Sequence, residues 1–439
     1  MFKRRKTSNS ERSLRFLAMA ALWPLLGACG KARQSSTVAP SVIKVERTAR
    51  GFHLLRNGEP YFIQGAGGDG PLDTLKAAGG NSIRTWGTDE LESQLAAAHA
   101  LGLTVTAGIW LSHERHGFSY GSAGAVAKQL QSARADVLNY KDHPALLLWG
   151  IGNEMEGRGD NPAVWKAVND IAKMIKTTDP NHPTMTVIAD VDPTKIKGLN
   201  TFCPDIDILG INSYGGLVTL PQRLQQFGWK RPYIVTEFGP IGPWETGKTP
   251  WGAAIEWSST QKADFYVTGY QKSIASQRHW CLGSYAFLWG YKQEHTGTWF
   301  GMLLPTGDKL GAVDAMTYNW TGKWPSNLAP RIVELSSAAS FSSVAPATRM
   351  TADVVAYDVD NNPLTVYWEV RSESTDKKQG GDVEQEPPAH FDRISKVQGT
   401  HLIFQTPQQP GAYRLFVYVF DGQGHAATAN VPFWVAAAE

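Results

Sequence analysis

The chain has 439 residues, more than twice the ~150 of a common domain, so two domains are expected and a large core can be buried. With 42% hydrophobic and 19% charged residues, the composition excludes a disordered chain or a coiled coil. The formal charge of +2 is carried by the first 28 residues, which hold six cations and one anion; the remainder has 36 basic and 39 acidic residues, which excludes a basic nucleic-acid surface.

Met1–Arg15 is basic, and Phe16–Ala28 is a mostly apolar run interrupted by Pro24. That run is too short to span a bilayer as a helix and has the proportions of a secretory signal. It ends Leu26-Gly27-Ala28-Cys29, which resembles a bacterial lipobox. The resemblance implies cleavage before Cys29, lipidation of that residue, and an exported protein held on a membrane by its N-terminal anchor. Gly30 in the next position points to the outer membrane, facing the periplasm or the cell surface. Residues 1–28 thus read as signal peptide and 29–41 as tether. Cys203 and Cys281 remain after export, and both read as structural, buried or bridged in a disulfide.

Buried-strand patterns then recur at Tyr61–Gly65, Ser82–Trp86, Leu103–Trp110, Ala145–Ile151, Thr184–Ala189, Ile206–Ile211, Tyr233–Thr236 and Leu282–Trp289. Amphipathic stretches such as Glu90–Leu101, Gly124–Tyr140, Pro162–Thr177, Leu220–Gly228 and Thr260–Gln277 separate them. The repeat of about 32 residues is one βα unit with its return, and eight units predict a (β/α)8 TIM barrel over residues 42–325. A doubly wound open sheet is disfavoured, because no Gly-x-Gly-x-x-Gly follows the first strand. Ile43–Pro60, with Asn57-Gly58 as a hairpin turn, is expected to cap the barrel bottom.

After Trp324-Pro325 the pattern changes to short strands at Met350–Tyr357, Leu364–Val370, His401–Gln405, Tyr413–Phe420 and Ala426–Val435. Residues 331–439 therefore read as an all-β sandwich, which resembles immunoglobulin-like modules of the PKD and cadherin type. Asp358, Asp360 and Asn362 read as a polar turn rather than a Ca2+ site. Ser372–Pro388 reads as a polar, mobile insertion, and the module as a spacer or brace.

In such a barrel, residues just past the C-terminal ends of the strands face the active site. The fourth strand runs into Asn153-Glu154 and the seventh into Glu237-Phe238-Gly239. The second ends at Arg84-Thr85-Trp86, the sixth at Asn212-Ser213-Tyr214 and the eighth at Trp289. Buried charge is costly unless paired or used, so two carboxylates and an arginine on one rim mark a functional site. Chemistry that needs two carboxylates is glycosidic cleavage, one serving as acid and the other as ionised nucleophile. The residues alone leave open which glutamate takes which role.

His143-Pro144-Ala145 through Asn153-Glu154, with Thr236-Glu237-Phe238-Gly239, resembles the retaining β-glycosidases of glycoside hydrolase clan A. The barrel of family 2, the β-galactosidase and β-glucuronidase group, is most similar, over roughly residues 52–320. The resemblance implies Glu154 as general acid/base, Glu237 as nucleophile and Asn153 as a partner of the sugar 2-hydroxyl. It further implies that Tyr214 contacts the nucleophile, that Arg84 stands behind it, and that Trp289 forms the floor under the sugar. Family 2 places β domains ahead of the barrel, whereas here a sandwich follows it, and a family 5-like enzyme shares the same pair.

Asn212, His113 and Trp299 are further substrate-binding candidates on this rim, and Asp69 is positioned for a sugar hydroxyl or a helix start. His113-Glu114-Arg115-His116 lacks the His-Glu-x-x-His spacing of a zinc protease, so no metal is expected, and no cofactor is implied. The expected partner is a carbohydrate. The readings that compete with hydrolysis are a β-glucan transglycosylase using the same pair and a noncatalytic glycan-binding lipoprotein.

Overall fold

The computed structural model describes residues 39–437; the signal run and Cys29 lie outside the described residues. The first strands, β1 (Ile43–Thr48), β2 (Gly51–Arg56) and β3 (Glu59–Tyr61), form a small antiparallel sheet. Asn57 and Gly58, at φ of 54° and 86°, make the two-residue turn between the last two. Ile43 and Leu54 pack with Leu147, Ile208, Ile234 and Leu282, near the N-terminal ends of the barrel strands. The sheet therefore covers the barrel bottom. Ser41, read from the sequence as tether, is buried there and donates from Oγ to the Leu146 carbonyl at 2.5 Å.

Eight parallel strands close the barrel: β4 (Ile63–Gly67), β5 (Ser82–Arg84), β6 (Thr104–Ile109), β7 (Leu146–Asn153), β8 (Thr184–Ala189), β9 (Ile208–Asn212), β10 (Tyr233–Phe238) and β11 (Cys281–Phe287). They are covered on both faces, so their sequences are near-continuous apolar runs. Around them stand α1 (Leu72–Ala77), α2 (Leu91–Ala100), α3 (Ala123–Tyr140), α4 (Pro162–Thr178), α5 (Pro193–Phe202), α6 (Leu220–Gln226), α7 (Ser259–Ser273) and α8 (Gly311–Thr321).

Helix α4 shows why these segments fold as they do. Asn161 caps it by accepting the Ala163 N–H at 3.0 Å, and Pro162 fits the first turn. Val164, Val168, Ile171 and Ile175 then form one buried stripe against the barrel. Cys203 and Cys281 are both buried and free. Their thiols face the carbonyls of Trp165 and Gly283 respectively, and among the described residues they form no disulfide.

The C-terminal part is an all-β sandwich of two sheets. Its strands are β12 (Lys309–Leu310), β13 (Arg331–Ser337), β14 (Ser343–Val344), β15 (Arg349–Tyr357), β16 (Thr365–Ser372), β17 (Ile394–Gln398), β18 (His401–Gln405), β19 (Gly411–Phe420) and β20 (His425–Val435). One sheet runs β12-β20-β19-β16 and the other β13-β15-β18-β17, enclosing Trp368, Phe404, Leu415 and Phe433. Asp358 accepts the N–H groups of Asp360 and Asn362, as a polar turn does.

The sandwich is bound to the barrel rather than strung behind it. Thr428 N–H reaches Ser259, Ile332 N–H reaches Thr260, and Arg331 pairs with Asp264 at 2.9 Å. Deeper, Glu256 is buried between Lys262 Nζ at 2.5 Å, Thr298 Oγ1 at 2.8 Å and Asn430 Nδ2 at 2.7 Å. Arg414 of β19 joins Asn430, Glu373 and the Ala254 carbonyl. The insertion after β16 also departs from expectation. It is not a loose loop but lies across the barrel mouth, its charged groups paired with rim residues.

Candidate active site

Two strand ends carry the carboxylates, and both are irregular. The pairing of β7 with β8 shifts between Ile151 and Asn153, and that of β10 with β9 shifts between Val235 and Glu237. Such bulges re-aim side chains at a barrel rim. Gly152 sits at φ 67°, and a side chain there would meet Met155 at 2.5 Å. Glu154 follows at φ 53°, a left-handed conformation that costs energy in a non-glycine residue.

Glu237 is 5% exposed and accepts three hydrogen bonds. Arg84 Nη1 and Trp86 Nε1 reach its Oε1 at 2.8 and 2.9 Å, and Tyr214 OH reaches Oε2 at 2.8 Å. Arg84 is itself placed by the Thr236 carbonyl at 3.1 Å and by Asn153 Oδ1 at 2.7 Å. Asn153 Oδ1 also accepts from Asn212 at 3.1 Å, so its own amide N–H is left for the cleft that it lines.

Glu154 has a different environment. Asn212 Nδ2 donates to its Oε1 at 2.8 Å, and Thr236 Oγ1 holds the Asn212 carbonyl at 2.8 Å. Burial, then the charge of Glu237, push the Glu154 carboxyl up to about 7. One site therefore holds a carboxyl protonated near neutrality and a second that only accepts hydrogen bonds. Unlike environments of this kind are what chemistry with one acid and one nucleophile requires.

The two glutamates open into a cleft of about 1030 Å3. This is at the upper end of the ~300–1,000 Å3 of small-ligand pockets, so more than one sugar ring fits. Arg84, Asn153, Glu154, Asn212, Tyr214, Glu237 and Asp69 all line it. Three expected residues do not. Trp289 is fully buried, because past β11 the chain turns to pair with Gly67 and Phe300, and its indole N–H binds the Pro71 carbonyl at 2.9 Å. Trp86 and Phe287 face the cleft in its place, ring centroids 6.0 Å apart.

Trp299 is also interior, its N–H on the Ile241 carbonyl at 3.0 Å. His113 is buried beneath Trp110, with Nδ1 2.8 Å from Arg115, and burial lowers its pKa to about 4. It is a neutral prop for the rim. Among the described residues, no group of three or more His, Cys, Asp or Glu could hold a metal ion.

Sequence reasoning overlooked Trp86, although it ends the strand that carries Arg84. It also missed the exposed Trp110, whereas Trp244 of the long loop after the seventh strand, expected as a wall of an aromatic cleft, does line it from the opposite side. The largest omission is Lys377–Asp382, which reaches the cleft from the sandwich.

Residues 101–278 match the model of the glycosyl hydrolases family 2 TIM barrel domain, a stretch that contains both glutamates. The chain is similar to human β-glucuronidase, 22% identical over 52% of this chain and 35% of that protein. Among solved structures it resembles Ruminococcus gnavus β-glucuronidase, with 18% identity, a TM-score of 0.51, and coverage of 65% of this chain and 53% of that one. A β-glucuronidase from an uncultured Clostridium is likewise 18% identical, with a TM-score of 0.51, over 64% of this chain and 54% of that one. The matched parts thus span between about a third and a half of those proteins' lengths. The fold is a family 2-like TIM barrel followed by a β-sandwich.

Proposed function

We propose that this protein is a retaining β-glycosidase acting on a β-linked oligo- or polysaccharide. Glu237 attacks the anomeric carbon while Glu154 protonates the departing glycosidic oxygen, leaving a covalent glycosyl ester. Glu154, now a carboxylate, takes a proton from water, whose oxygen displaces Glu237 and releases the sugar. The observation that carries this reading is the buried network in which Arg84, Asn153 and Asn212 connect the two carboxylates while giving them unlike partners.

The family 2 match supports glycoside chemistry, and the β-glucuronidase relatives make β-glucuronides a substrate class to include. The lipobox-like Leu26-Gly27-Ala28-Cys29 supports export and lipid anchoring at Cys29, and Gly30 after it supports the outer membrane as the destination. Among the described residues no helix is long and apolar enough to cross a membrane.

The test is turnover of 4-nitrophenyl β-glycosides of glucose, galactose, mannose and glucuronic acid, with the anomer of the first-formed product followed by NMR. Retention in the parent and loss of turnover in Glu237→Gln are expected. Turnover by Glu237→Gln at the parent rate, or inversion, contradicts the mechanism.

A further inference from the structure

The insertion after β16 adds something that the barrel alone lacks. Its base is fixed in the interior: Arg414 binds Glu373 through Nε at 2.9 Å and Nη2 at 3.0 Å, and also holds the Ala254 carbonyl in the loop after β10. From there the segment crosses the mouth. Beyond β11, Tyr291 OH donates to Glu386 at 2.6 Å, Lys292 Nζ to the Gly381 carbonyl at 2.7 Å, and His295 N–H to Glu384 at 2.7 Å. Beyond β6, His116 lies 3.0 Å and Arg115 3.4 Å from Asp382. The two sets of latches stand at the ends of the arc β11-β4-β5-β6, so the segment bridges the rim above β4 and β5.

On the β-glycosidase reading proposed above, that arc is the glycone side of the cleft. A nucleophile bonds the anomeric carbon, so the reacting sugar lies over Glu237 and its partner Trp86, at the end of β5. The leaving group lies past the acid Glu154, toward Asn212 and Asp190 on the uncovered side. The cleft is lined by Asp69, Glu90 and Trp110 from the barrel rim and by Lys377–Asp382 from the insertion.

We propose that Asp376–Glu386 of the sandwich is the end wall of the glycone half of the cleft, confining cleavage to bonds near the non-reducing ends of chains. This rests on the β-glycosidase reading. It makes the C-terminal module a determinant of where chains are cut, beyond a spacer or brace.

The ends of the segment are adjacent, Gln385 N–H meeting Asp376 Oδ2 at 2.9 Å, so a short link can close the gap that its removal leaves. In the full chain, Lys377–Gln385 is replaced by two glycines; Asp382→Ala, which only releases the β6 latches, is the milder companion. Both are compared with the parent on reducing-end-labelled β-linked gluco-, galacto- and manno-hexasaccharides, with products resolved by chromatography. The parent is expected to shorten chains stepwise from the unlabelled end. The replacement should raise the ratio of internal to terminal cuts at least tenfold, and Asp382→Ala should raise it less. Internal cutting by the parent, or an unchanged ratio in both variants, overturns the proposal. Parent turnover of 4-nitrophenyl β-glycosides with no hexasaccharide cleaved overturns the end wall and leaves the glycosidase reading standing. Turnover of neither by the parent overturns both.

Discussion

Arg84 and Glu237 form a buried ion pair, 2.8 Å from Nη1 to Oε1, across the barrel mouth from β5 to β10. The same guanidinium holds Asn153 beside Glu154, so one cation sets the geometry of both strand ends. Replacing Arg84 by Met leaves Glu237 buried without its charge partner, which costs about 3–5 kcal/mol in such pairs. We expect a clear fall in Tm together with a hundredfold or greater loss in kcat/KM. Arg84→Lys keeps the charge but not the fork, and should recover stability more than activity.

Glu154 gives the pH dependence. Its carboxyl is raised from the ordinary 4.5 to about 7, so the acid form is lost and kcat/KM falls as pH rises through about 7. The raised value also means that the folded state favours the protonated group. Its stabilising contribution is full below about 4.5 and is lost as pH rises through about 7, a difference on the order of 3 kcal/mol. Glu154→Gln should therefore gain stability relative to the parent at pH 8 but not at pH 4, measured by denaturant unfolding. Glu237→Gln removes a charge that raises Glu154, so its titration, followed by carboxyl NMR, should move to lower pH.

Thr236 fixes which end of the Asn212 amide faces Glu154. Thr236→Val frees the Asn212 carbonyl, and a misoriented amide no longer donates to the acid. The loss of one such buried bond is worth about 1–2 kcal/mol, or about tenfold in rate. The effect should fall on kcat more than on KM, and Thr236→Ser should restore it.

Arg414 is the buried joint between sandwich and barrel. Arg414→Met leaves Glu373 uncompensated and the Ala254 carbonyl unpaired, so unfolding free energy should fall by about 3 kcal/mol or more. Double replacement with Glu373→Gln should recover part of this loss in a double-mutant cycle.

The barrel was legible because strands covered on both faces must be almost continuously apolar, as Leu146–Ile151 is. The carboxylates were legible for the opposite reason: Glu154 and Glu237 interrupt such runs at the rim, where burial is tolerated only for use. Trp289, Trp299 and His113 were misplaced because a residue past a strand end takes its direction from the loop. Leu288 pairs with Phe300, and Trp289 turns inward to Pro71. The insertion was least legible of all. It has no periodicity, and its position is decided by distant partners such as Asp382 with His116 and Gly381 with Lys292.

The most direct measurement is trapping of the covalent intermediate. The parent is incubated with 2-deoxy-2-fluoro β-glycosides of the four sugars, digested and mapped by mass spectrometry. The account predicts one sugar ester, carried by Glu237, accumulating in the parent and absent from Glu237→Gln. An ester on Glu154 or another residue, or turnover of these glycosides with no ester formed, would contradict it.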